Sequence, residues 1–190
     1  MPGATEPGNW SGGGIAFGGG SRGRSRPGAG SPDMIAAMRR RWASGIAVVT
    51  AVDADGRFRG VTVSSMMIVS EEPSVLAVAL TAAGSFQALA RVGAVLGISV
   101  LDATHDFVAE RFAGRAPLPD AQFGGVAHTI VEGVPVLGGA LAWAVGRVRQ
   151  RHAWGDHVLA LVEVDQGDLG PDTDDPLLTY EGRYRRLEAG

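Results

Sequence analysis

The chain has 190 residues, no Cys, and a formal net charge of −3 with a pI near 5.8. The missing Cys excludes disulfides, a thiolate nucleophile and a Cys-type zinc site, and the acidic balance gives no footprint for nucleic acid or an anionic membrane. The length suits one domain with a sizeable core rather than two.

All 17 cationic residues are Arg. The four His, at 105, 128, 152 and 157, never take the i, i+4 spacing of a helical metal pair, so no metal is expected. No apolar run reaches the roughly 18 residues of a membrane span. Residues 1–31 are Gly-rich without a hydrophobic segment, so they read as a flexible tail and not a secretory signal. One domain is then expected over 32–190, in the cytoplasm.

Ser31-Pro32-Asp33 carries the marks of a helix start, and Met34, Met38 and Trp42 follow as an apolar stripe. Ile46–Val52 is a β-branched strand, Asp53-Ala54-Asp55-Gly56 a turn, and Phe58–Ser70 the returning strand of a hairpin. Val75–Leu80 is a short apolar strand. Ser85 then caps a helix that points Phe86, Leu89 and Ala90 inward and stops at Gly93. Val95–Leu101 is a strand, Thr104–Phe112 a helix, and Gly114–Gly125 a loop. Leu141–Arg149 alternates as a strand that includes a core Trp143. His157–Asp165 alternates again after a turn at Trp154-Gly155-Asp156. Leu177–Tyr180 is a last short strand, and Glu181 begins the tail. His105, His128 and His152 are assigned to the surface. About seven strands with short helices and hairpin-length loops predict a mainly β fold, a closed barrel with helices over its ends.

One stretch stands apart. Gly60–Ser70 carries Thr62, Ser64 and Ser65 where a buried strand carries branched aliphatics. In a continuous strand Thr62 and Ser64 share one face and Ser65 takes the other. Such a hydroxyl face suits a flat heterocycle with donors and acceptors on its rim; the alternative is an edge strand facing water.

The order of motifs resembles the flavin reductase-like family with its FMN-binding split-barrel fold. The resemblance rests on Arg41–Thr50, Gly60–Ser65, Val69–Pro73, Glu110–Gly114, Val134–Trp143, Gly155-Asp156-His157 and Pro176–Tyr184, in family order. It implies an NAD(P)H:flavin oxidoreductase that moves a hydride from NADH or NADPH to FMN or FAD. It also implies a homodimer that supplies diffusible reduced flavin to a partner monooxygenase. By matching positions, flavin lies against Gly60, Val61 and Thr62, with Ser64 and Ser65 bonding the ring edge. Ala79, Leu80, Thr81 and Ser85 hold the ribityl chain and phosphate, and Arg111 and Phe112 touch flavin. His157 lines the nicotinamide pocket as the catalytic-site residue, and Tyr180 and Gly182 contact the dinucleotide.

A glycine before Ser85 at a helix start offers backbone N–H groups to phosphate, and Arg111 adds charge-assisted bonds. The chain departs from the family at Gly84 and Phe86, where two usual hydroxyls are missing: either phosphate is held weakly, or Phe86 stacks on an adenine and favours FAD. It departs again at Glu181, where an Arg is common in the family: an acid there repels a dinucleotide phosphate, which favours NADH over NADPH and weakens both. These departures keep an alternative open, a split-barrel flavin carrier without efficient nicotinamide turnover.

Overall fold

In the computed structural model the described residues are 30–115, 123–170 and 175–187; nearly all of the expected tail lies outside them. Helix α1 (Pro32–Arg40) starts as expected, with the Ser31 hydroxyl accepting from the Met34 N–H at 3.2 Å. Its apolar stripe finds no core: Met38 is 57% and Trp42 66% exposed. The strands that follow are β1 (Ser44–Gly45), β2 (Ala47–Val52), β3 (Phe58–Val63), β4 (Met66–Ser70) and β5 (Val75–Thr81). A 3-10 turn at Ser85–Ala88 leads to β6 (Val95–Val100), and another at Ala103–His105 runs into α2 (Asp106–Phe112). Then come β7 (His128–Val131), β8 (Val134–Leu137), β9 (Ala142–Trp154), β10 (His157–Leu169), β11 (Leu178–Tyr180) and β12 (Arg183–Arg185).

Seven strands form one antiparallel sheet in the order β3-β2-β6-β9-β10-β5-β4. Its two edge strands are consecutive in the chain, with only Ser64 and Ser65 between them, so the sheet must roll up until its edges meet there. The Ala79 N–H donates to the Ser65 carbonyl at 3.0 Å and the Ser65 hydroxyl donates to the Ala79 carbonyl at 2.7 Å, which fastens the crossing to β5. Phe58–Ser70 is therefore two strands on opposite edges of a split barrel, not one. The alternation inferred from continuity also lapses, because the chain bends at Ser64 and belongs to neither strand at the crossing.

The roll closes around Ala47, Val49, Leu96, Ile98, Val148, Val162 and their neighbours. On β10, Val158, Ala160 and Val162 point inward as their alternation requires. Strand β2 is buried on both faces, because Val48 turns outward into a second cluster with Leu101, Phe112 and Leu177 beneath α2. Gly60 makes that cluster possible: a Cβ there would stand 2.6 Å from two carbons of the Phe112 ring. A third cluster, Val134, Val136 and Val145, lies under the β7–β8 hairpin. Two buried hydroxyls anchor this hairpin. Thr50 donates to the Pro135 carbonyl at 2.5 Å, and Ser99 accepts from the Leu137 N–H at 3.0 Å.

The β7–β8 hairpin was not expected, and Arg183–Arg185 is a strand and not a tail. β11 and β12 close a second hairpin that joins β1 in a three-stranded sheet. Each hairpin turns on Glu-Gly: Glu132 and Gly133 have φ of 49° and 83°, Glu181 and Gly182 of 52° and 74°. Two positive φ values in a two-residue loop are the type I′ geometry, whose usual signature is Asn-Gly. Two histidines also leave the surface. The His128 ring packs edge-on against Phe58 and Phe123, and His105 is half-buried with Nδ1 enclosed and unpartnered. No helix among the described residues is long and apolar enough to cross a membrane.

Candidate functional site

A groove of about 1390 Å³ runs along the seam where the sheet edges meet. Val61, Thr62, Ser64, Ser65 and Met66 of the crossing form one side, and Ala77, Ala79 and Thr81 of β5 with Leu159 of β10 form the floor. The far side is α1 through Met38, Arg39 and Arg40 with Trp42 just past its end, and the closing end is Arg115 with Gly182, Arg183 and Tyr184. The floor is narrow in side-chain bulk because β5 alternates alanines toward it, which leaves a slot for a flat ring. Single-ligand sites run to roughly 1,000 Å³, so this groove has room for two ligands side by side.

Of the expected residues, Val61, Thr62, Ser64, Ser65, Ala79, Thr81 and Gly182 line the groove. Ser65 joins Thr62 and Ser64 in it and does not take the opposite face, because the strand breaks between Val63 and Met66. Two of the three hydroxyls also hold the protein: Thr62 donates to the Ala109 carbonyl of α2 at 2.6 Å, and Ser65 is bonded to Ala79 as above.

Gly60, Leu80 and Phe112 are packing residues here, with the Leu80 and Phe112 side chains buried. Arg111 turns away. Its guanidinium donates to the Gly124 carbonyl at 2.5 Å and lies 5.6 Å over the Phe107 ring. Ser85 begins a four-residue 3-10 turn capped by Gly84 with no side-chain bond, so the helix-end argument for phosphate fails there. Phe86 is 7% exposed and belongs to the barrel core, which removes it as an adenine shelf.

His157 stands beside the groove, next to its lining residue Thr81, and is not itself in the wall. It opposes Thr81 on β5, and directly opposed residues share a sheet face. Its Nδ1 lies 2.8 Å from Asp156 Oδ1, and the ring is 40% exposed. That bond and the His157 charge hold the Asp156 carboxyl below its ordinary range, with a further contribution from Arg39. The bond fixes the ring and leaves Nε2 for a ligand. Tyr180 opposes the groove residue Arg183 across the β11–β12 ladder but is not itself in the groove wall.

The groove is cationic in an acidic protein. Arg39, Arg40, Arg115 and Arg183 face it against one carboxylate, Glu110. Arg115 pairs with Glu110 at 2.9 Å and donates to the Tyr184 hydroxyl at 3.3 Å, which draws the Glu110 carboxyl down. None of these arginines was singled out from the sequence. The available signals were the Arg39-Arg40-Arg41 run at a helix C-terminus and the second Tyr of Tyr-x-Gly-x-Tyr. Among the described residues no cluster of His, Asp or Glu is arranged to hold a metal ion.

Residues 38–188 match the family of the flavin reductase like domain. The chain belongs to the flavin reductase-like family. Its oxidoreductase class and split-barrel fold agree with the motifs read from the sequence. FMN reductase (NADH) RutF 1 of Methylorubrum extorquens is 32% identical over 147 residues, covering 77% of this chain and 72% of that one. The styrene monooxygenase flavin reductase of Pseudomonas putida S12 superposes with a TM-score of 0.72 at 29% identity, covering 82% of this chain and 98% of that one. The NADH:FAD oxidoreductase SgcE6 of Streptomyces globisporus, in complex with NAD and FAD fragments, also gives 0.72, at 27% identity over 83% and 95% of the two chains.

Proposed function

We propose that the protein is an NADH-dependent flavin reductase that uses this groove for both flavin and nicotinamide. One observation carries the reading: the crossing at Ser64-Ser65 and the alanine floor of β5 line a single groove large enough for two ligands, and the His157–Asp156 pair stands beside it, across the ladder from Thr81. When bound, flavin and nicotinamide supply the hydride chemistry, and the protein supplies orientation and electrostatics. Ser64 and the backbone of the crossing hold the ring edge. Ala77 and Ala79 admit its face. His157, fixed through Nδ1, presents Nε2 to the nicotinamide side as a hydrogen-bonding and proton-handling group. The groove arginines neutralise phosphate.

The groove is open along its length, which supports release of reduced flavin by diffusion to a partner monooxygenase. A homodimer is supported by exposed apolar side chains on α1 and β4, among them Ile35, Met38, Met67 and Ile68. The cytoplasm is the location that matches a need for NADH.

The test is NADH and NADPH oxidation, followed by loss of dihydronicotinamide absorbance, with FMN, with FAD and without added flavin. Flavin-dependent oxidation, faster with NADH, is expected. Flavin binding without turnover would replace the reductase with a flavin carrier, and no flavin binding at all would overturn both.

A further inference from the structure

Sulfur gathers at the groove. Of the methionines among the described residues, Met38, Met66 and Met67 line it, and Met34 alone does not. Met38 stands in the α1 wall, while Met66 and Met67 follow the Ser64-Ser65 crossing on the other side. Packing explains Met66, which is partly buried against the barrel core. It does not explain Met38 and Met67, whose side chains stay largely in water at 57% and 58% exposure. With no Cys in the chain, methionine is its only sulfur. A thioether that takes up one oxygen turns from a flexible apolar group into a polar, chiral one, and sulfoxide reductases reverse the change.

The chemistry assigned to the groove generates the oxidant. Reduced flavin that no partner consumes passes two electrons and two protons to dioxygen, which leaves oxidised flavin and hydrogen peroxide. A methionine sulfur then takes one oxygen atom from the peroxide, the O–O bond breaks, and the other oxygen leaves as water. Sulfur is oxidised and peroxide reduced, with dioxygen as the only reagent beyond the enzyme's own substrates. Met38 and Met67 also border the face offered to a second copy, yet peroxide reaches them through the groove, along the path any ligand must take.

We propose that Met38 and Met67 are a reversible oxidation site whose sulfoxides weaken flavin binding when reduced flavin goes unused. The inference rests on the flavin-reductase reading above. It adds a feedback in which the by-product of uncoupled turnover slows further turnover.

The full chain is exposed to hydrogen peroxide, or allowed to oxidise NADH with flavin in air with and without catalase, and sulfoxide at each methionine is measured by peptide mass spectrometry. FMN and FAD affinities are titrated on the repurified protein before and after repair by methionine sulfoxide reductases A and B. Wild type is compared with Met34→Leu and with the double variant Met38→Leu, Met67→Leu, since Leu keeps the volume and removes the sulfur. Met38 and Met67 are expected to oxidise ahead of Met34, with catalase suppressing the turnover-driven reaction. Flavin affinity should then fall about tenfold, the cost of one polar group left unpaired against an apolar contact, and repair should restore it. The double variant should keep its own starting affinity through the same treatment, and Met34→Leu should lose affinity as wild type does. Turnover that leaves no sulfoxide at either residue, oxidation spread evenly over the methionines, affinity unchanged at full oxidation, or an equal loss in the double variant overturns the inference alone. Untreated wild type that binds neither flavin overturns the reductase reading and this inference with it.

Discussion

Strand β2 and the segment that returns from it are joined by a tight turn, yet they solve different problems. β2 is enclosed on both faces, with Ala47 and Val49 in the barrel and Val48 under α2, so branched aliphatics are all it needs. The returning segment keeps one face on protein through Gly60 and Phe112, then leaves one sheet edge for the other and opens onto a groove. Away from the ladder its backbone and its neighbours' carbonyls need other partners, and Thr62 and Ser65 provide them. The hydroxyls that mark the site thus divide between holding the wall and facing the ligand. Core-facing and groove-facing groups should separate cleanly in experiment.

The sharpest separation is expected at His157, which stands beside the groove opposite Thr81 and belongs to no core cluster. His157→Ala should lower kcat/KM for NADH by about 10- to 100-fold with flavin affinity and thermal midpoint nearly unchanged; unaltered steady-state kinetics would remove His157 from the reaction. Gly60→Ala is the converse. Its new methyl meets the buried Phe112 ring, so denaturant unfolding should show a loss of about 2 kcal/mol. Thr62 sits on the boundary: Thr62→Val should cost about 1 kcal/mol by releasing the Ala109 carbonyl and should weaken flavin as well. Ser64→Ala should weaken flavin while keeping stability within about 0.5 kcal/mol. Equal stability losses in those two variants would erase the division of labour.

The smallest effect belongs to the ion pair at the groove end. The Arg115 guanidinium lowers the Glu110 carboxyl, so this pair stabilises the fold at neutral pH and its contribution fades as acid protonates Glu110. Glu110→Gln should cost about 0.5 kcal/mol at neutral pH, and the gap to wild type should close on acidification.

Much of this was legible beforehand. The alternation of β10, the Ser31-Pro32 helix start and the Gly-Asp-His turn each follow from local physics that the fold does not overrule. The break at Ser64-Ser65 is hidden because no Gly or Pro marks it, and only the pairing of β3 with β2 and β4 with β5 creates it. Both late hairpins were hidden for another reason: Glu occupies the left-handed position where Asn is the recognised signal. Arg111 is expected at the ligand because a motif names a residue and not its direction. Arg111 turns to the Gly124 carbonyl, and Arg115, past the end of α2, faces the groove. Phe86 points inward as its spacing requires, but spacing cannot say whether an inward face meets core or ligand, and it is the alternative of stacking on adenine that falls.

One bond crosses the groove end from wall to wall, the Glu181 N–H donating to the Arg40 carbonyl at 2.7 Å. It ties the β11–β12 turn to a helix with no buried residue of its own. An amide in that position exchanges its hydrogen with solvent only when the two walls part. The exchange rate at Glu181 is therefore a clock for groove opening, readable in the free protein and again with each ligand bound, and slow exchange there would mean that product leaves through a gate rather than an open channel.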